Sequence, residues 1–167
     1  MVAICNLWRF EPALTVNVVW TDPDCPVART ADVVGDRWSL LVIRDAMDGA
    51  RSFTDFLHRT GIARNILTER LRSLTTHGLL ARVDAPSGKR KLYELTDAGR
   101  DFFPVIVALR QWGERHAFRA GEEHSWLVGD NGIQVPQLIP MAGDGTVLTS
   151  DNTRVRGVEG LVTGMGG

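Results

Sequence analysis

Cysteine is scarce in this chain: its 167 residues hold only Cys5 and Cys25. Two cysteines cannot staple a fold of this size, and their twenty-residue separation suits no zinc motif, so a reducing cytoplasm is the expected compartment. Long apolar runs are missing too. No stretch reaches the ~18–20 residues that a membrane-spanning helix needs, which argues against an integral membrane role. Residues 1–20 carry one basic side chain, Arg9, and Glu11-Pro12 interrupts their apolar stretch, a poor secretory signal. The four histidines (His58, His77, His116 and His124) make no ligand set, so no metal and no other cofactor is expected. There is no HExxH, GxSxG, Walker or GxGxxG motif, and the chain is not expected to be an enzyme.

What is present is a charge asymmetry that the net charge of −1 conceals. Residues 1–28 sum to −2, residues 29–119 to +5 and residues 120–167 to −4. Within the middle block, residues 51–91 alone sum to +6, with nine basic side chains that include Arg51, Arg64, Arg72, Lys89 and Arg90. A basic zone between acidic ends is the footprint of a nucleic-acid contact, or of a solvated arginine face.

The middle block reads as short helices, a hairpin and a last helix. Pro26 suits a first helical position, and the helix it opens should end at Gly35. Asp36 can cap the segment Trp38 to Met47, whose apolar residues cover most of the circumference and predict a buried central helix stopped at Gly49. Ser52 can cap a third helix that ends at Gly61. A fourth should run from Ala63 to His77, with Leu67, Leu71 and Leu74 on one stripe and Gly78 as its stop. Leu79–Val83 and Lys91–Leu95 suit two strands joined by a basic loop. Thr96 should cap one long final helix, kinked at Pro104, with Phe102, Leu109 and Trp112 on its apolar stripe.

Residues 120–167 differ in character. Asp130-Asn-Gly132 and Gly143-Asp-Gly145 are turn signals between β-like pieces at Trp126–Val128, Ile133–Val135, Leu138–Met141 and Thr146–Leu148. A small β-hairpin tail is expected, with a Gly-rich end fraying from Gly157. The expected organisation is an N-terminal arm (1–24), a DNA-binding domain with dimerisation helices (25–119) and this appendage (120–167). No internal repeat is apparent in the sequence.

Short helix, turn, longer helix and a hairpin with a basic loop is the order of a winged helix-turn-helix, an α+β fold that is mainly helical. A helix fits the major groove and offers its N-terminal side chains to base edges, while a hairpin tip reaches phosphates. With the leucine stripe inward, Ala63, Arg64, Asn65, Thr68, Glu69 and Arg72 remain for the outer and lateral faces. Arg64 and Asn65 are residue types that bond bidentately to guanine and adenine. Ser87, Lys89 and Arg90 in the loop suit phosphate contacts, and Arg51 and Ser52, at the start of the helix-turn-helix, are further candidates for DNA contact. The competing reading is a winged-helix protein–protein interaction module that never touches DNA.

Five segments also carry a family resemblance. Cys25-Pro-Val-Ala, Gly35-Asp-Arg-Trp-Ser-Leu-Leu-Val-Ile-Arg44, Arg51-Ser-Phe-Thr-Asp-Phe56, Gly61-Ile-Ala-Arg-Asn-Ile-Leu-Thr-Glu-Arg-Leu-Arg-Ser-Leu74 and Leu95-Thr-Asp-Ala-Gly99 resemble the HxlR-type winged helix-turn-helix regulators of bacteria. The resemblance runs from Cys25 to His116. It implies a homodimeric, cytoplasmic transcriptional regulator on a palindromic operator in double-stranded DNA, with the fourth helix as reader, the hairpin as wing, and terminal helices, here the Trp112 stripe, as the dimer interface. Two positions depart from it: Ala63 stands where many members have a capping Ser, and the wing Pro86-Ser-Gly-Lys-Arg-Lys91 is poorer in proline. Some relatives sense oxidants or electrophiles through a cysteine at the first of these motifs. Cys25 therefore has two readings, a redox sensor favoured by the helix dipole or a small side chain closing a helix end. A small-molecule effector would be expected near Trp38, Phe103 and Trp112.

Overall fold

The computed structural model describes residues 19–88 and 90–157. Cys5, most of the N-terminal arm, Lys89 and the Gly-rich end beyond Gly157 lie outside the described residues. The chain divides into two compact units, residues 1–104 and 105–167. No helix among the described residues is long and apolar enough to cross a membrane.

The first unit is built by local capping. Helix α1, Pro26–Val34, starts with Pro26 in its first turn and ends at Gly35. Its N-cap is Cys25, whose Sγ accepts from the Ala28 N–H at 3.4 Å. Thr21 pins the preceding segment to α1 through its N–H and hydroxyl, both donated to the Asp32 carboxylate at 2.9 and 2.7 Å. Helix α2, Arg37–Met47, is capped by Asp36, which accepts from the Trp38 and Ser39 N–H groups. Helix α3, Phe53–Thr60, carries a full capping box, with the Ser52 and Asp55 side chains each bonding the other's backbone N–H. It ends at Gly61 in the left-handed conformation, φ +65°, where a Cβ would be strained. Helix α4, Arg64–Thr76, follows after Gly61, Ile62 and Ala63, without a side-chain cap at Ala63.

Leu67, Leu71 and Leu74 of α4 are fully buried, as are Val42 and Ile43 of α2 and Phe56 of α3. At about 25 cal/mol per Å² of apolar surface, stripes of this kind supply most of what holds such short helices in place. Helix α2 is not buried all round as its composition suggests. Its sealed face includes Ser39 and Asp45, while Leu40 and Leu41 are half-buried. Strands β1, Leu80–Asp84, and β2, Lys91–Leu95, pair antiparallel with Leu80 opposite Leu95 and Asp84 opposite Lys91, so β1 sits one residue later than periodicity predicts. A third segment joins this sheet by one bridge, Ser52 to Leu92, with the Tyr93 N–H on the Arg51 carbonyl.

The predicted single last helix is two helices. Thr96 does act as a cap, but of a short α5, Asp97–Asp101, and the chain turns at Phe102 before α6, Phe103–His116. Pro104 explains the break. It cannot donate to Arg100, and in the first turn of a new helix the missing N–H has no partner to lose.

The second unit contains most of α6 and the tail. The tail forms two small hairpins, each with one isolated bridge, Val128 to Gln134 and Met141 to Val147. Every backbone bond of the first recurs thirteen residues later in the second. Gly129 N–H to Ile133 O becomes Ala142 N–H to Thr146 O, and Val135 N–H to Leu127 O becomes Leu148 N–H to Pro140 O. Even the side-chain turn recurs, with Asn131 accepting from Ile133 N–H and Asp144 from Thr146 N–H. An internal repeat is therefore present, against the sequence reading, because it resides in backbone pairing and not in residue identity.

Candidate nucleic-acid interface

The capping box of α3, the left-handed Gly61 and the buried Ile62 set the turn into α4. With the leucine stripe sealed inward, Ala63, Arg64, Asn65, Thr68, Glu69 and Arg72 are all exposed. The Arg64 guanidinium lies 6.0 Å from the Phe53 ring centroid, which limits its rotamers at the first turn of α4. The Thr68 hydroxyl donates to the Arg64 carbonyl at 2.8 Å, leaving its oxygen as an acceptor toward solvent. Arg70, on the same helix, turns back to the protein and donates to Asp36.

The wing loop is closed by the Ala85 N–H on the Arg90 carbonyl at 2.8 Å and by a Lys91–Asp84 ion pair at 2.6 Å. Ser87 and Arg90 are exposed on it. Not every basic residue of segment 51–91 is an open cation. Arg51 pairs with Glu94, Arg59 with Asp48 and Arg70 with Asp36, whereas Arg64, Arg72, Arg82 and Arg90 have no carboxylate partner among the described residues. Ser52 is half-buried as the α3 cap. Arg82, exposed on β1, was not among the sequence candidates, although the alternation Ala81-Arg82-Val83 carried the signal.

Of the dimer candidates, Phe102 is half-buried at the break, while Leu109 and Trp112 are 47% and 59% exposed. Cys25 is a free, half-buried thiol.

These elements define a winged helix-turn-helix: a two-helix reader followed by a two-stranded wing. The model of the HxlR-like helix-turn-helix family matches residues 33–120, more than half of the chain, and the chain belongs to that family of transcriptional regulators. An HTH-type transcriptional regulator of Mycobacterium tuberculosis is 45% identical over 91 residues, covering 54% of this chain and 58% of the relative. The chain thus spans little more than half the length of that curated relative. Among solved structures, PA1607, assigned as a transcription factor, is 48% identical with a TM-score of 0.78, covering 81% of this chain and 96% of its own. The redox regulator HypR in its oxidized form is 31% identical with a TM-score of 0.51, covering 55% of this chain and 97% of its own.

Proposed function

We propose that the protein binds promoter DNA as a cytoplasmic homodimer, with α4 in the major groove and the β1–β2 loop on the backbone beside it. The observation that carries this reading is the division of α4 and its N-cap Ala63: three leucines completely buried, and six side chains able to face DNA exposed. Arg64 and Asn65 stand at the helix N-terminus, where base edges are met; Arg72, Arg90 and Lys89 are suited to phosphate. One such reader is a small surface for a specific site, so two related by a dyad would occupy half-sites about one helical turn apart.

The test is a titration of DNA flanking the gene, by anisotropy, between 50 and 200 mM salt. A dimer with six or more phosphate contacts loses on the order of a thousandfold in affinity over that range. No binding at micromolar protein, or binding indifferent to salt, returns the chain to the class of protein-interaction modules.

Oxidant gating is a second reading, favoured by one observation: the Cys25 sulfur itself caps α1. Oxidation would change that acceptor, and a structurally similar protein, HypR, is named a redox regulator. Mild oxidant should then shift operator affinity in the wild type and not in Cys25→Ser; equal responses would leave Cys25 as a packing residue.

A further inference from the structure

Helix α6 is used in an unexpected sense. Its polar stripe is engaged by its own chain: Arg110 donates to the Ser125 carbonyl and hydroxyl at 3.1 and 2.9 Å. Gln111 donates to the Pro136 carbonyl at 3.0 Å and accepts from the Leu138 N–H at 2.9 Å. These bonds hold the start of the first hairpin and the link between the two. The apolar stripe Val105, Leu109 and Trp112 is left open.

The hairpins are apolar on both faces. Leu127, Val135, Ala142 and Leu148 are half-buried, whereas Val128, Ile133, Met141 and Val147 face solvent at 49–66% exposure. One bridge per hairpin is a marginal structure in water, and among the described residues nothing covers this apolar face.

We propose that the two hairpins of residues 126–148 pack against a second copy of this chain, continuing the interface that the open stripe of α6 begins. The inference rests on the homodimer reading above and adds to it a surface beyond the matched family segment. Charge selects the occupant. Between Ser125 and Ser150 the only charged residues are Asp130 and Asp144, both at turn tips. A body without charge is the composition of a permanent self-interface, while transient partners meet more polar surfaces. The absence of any Lys or Arg there disfavours a phosphate backbone. The open α6 stripe lies in the same compact unit, so a second copy that covers Trp112 would meet the hairpin face as well.

The experiment compares full-length wild type, the double variant Val128→Asp/Met141→Asp and Trp112→Asp by sedimentation equilibrium. All three positions are exposed, so the chains should fold, which circular dichroism checks. The expected result is a dimeric wild type and a dimer dissociation constant raised about a hundredfold or more in the hairpin variant. If Trp112→Asp dissociates while the hairpin variant stays within twofold of wild type, the inference is overturned and the homodimer stands. A monomeric wild type overturns both. Should the double variant misfold, hydrogen exchange on wild type decides: protection of residues 126–148 must rise with protein concentration across the dimer transition. Protection independent of concentration overturns the inference.

Discussion

Arg70 of the reader helix donates from Nη1 to Oδ2 of Asp36 at 3.1 Å, and the same carboxylate caps α2. It also accepts from the Ser39 hydroxyl at 2.5 Å. One side chain therefore fixes the start of α2 and the middle of α4, so the reader's orientation depends on a residue outside the helix-turn-helix. Asp36→Ala should lower stability by about 1–2 kcal/mol through loss of the cap. A urea melt at neutral pH measures it, and an unchanged midpoint would show that the cap is dispensable.

The same carboxylate ties stability to pH. Burial pushes the Asp36 carboxyl up, but bonds from Ser39, the Arg70 charge and the Trp38 N–H outweigh it and hold it below its ordinary range. Asp55 is lowered by the backbone N–H groups of Ser52 and Arg51 and by the Ser52 hydroxyl. A carboxyl lowered in the native state contributes stability above its unfolded value of about 3.9 and loses it as pH falls through the native value. Stability should therefore drop below about pH 4. Asp36→Asn, which can still cap, should show a shallower acid limb in melts between pH 5 and pH 2.

Gly99 explains why the segment Leu95-Thr-Asp-Ala-Gly99 ends in glycine. Thr96 donates its hydroxyl to the Gly78 carbonyl and accepts from the Gly99 N–H, drawing α5 onto the end of α4 and the start of β1. A Cβ on Gly99 would stand 2.2 Å from the Leu79 carbonyl oxygen and 2.9 Å from Leu95 Cδ2. Backbone cannot yield cheaply, so Gly99→Ala should destabilise by about 1–3 kcal/mol or more. Thermal melting tests this, and a wild-type midpoint would contradict the close approach.

Ala63 leaves the first turn of α4 without a side-chain acceptor. Ala63→Ser should supply one and raise stability by about 1 kcal/mol, a gain of several degrees in melting temperature. If the added hydroxyl gave no gain, the backbone at Ala63 would not be in cap geometry.

Reader and wing should separate by the kind of defect. Arg64→Ala or Asn65→Ala should cost about 1–3 kcal/mol at one or two base pairs of each half-site. Arg90→Ala should weaken all DNA alike and flatten the salt slope by about one unit. Competition binding with single-base operator variants distinguishes them, and the opposite outcome would exchange the two roles.

Much of the first unit is legible in the sequence because its determinants are local. Asp36, Ser52, Gly61, Gly78 and Thr96 mark helix ends through bonds that close within about one turn. The outward face of α4 follows directly from the spacing of Leu67, Leu71 and Leu74. What only the tertiary structure decided involves partners far apart in the chain, which no local pattern names. Arg51 is balanced by Glu94, and Arg70 turns from the reader face to Asp36. The hairpin repeat stayed hidden for a related reason. Val128 is replaced by Met141 and Gln134 by Val147 at the equivalent positions, and only backbone pairing makes them correspond. Nor does the periodicity of α6 say which stripe its own chain will cover. Amide and guanidinium bonds to Ser125, Pro136 and Leu138 settled that for the polar stripe, leaving Leu109 and Trp112 in the open.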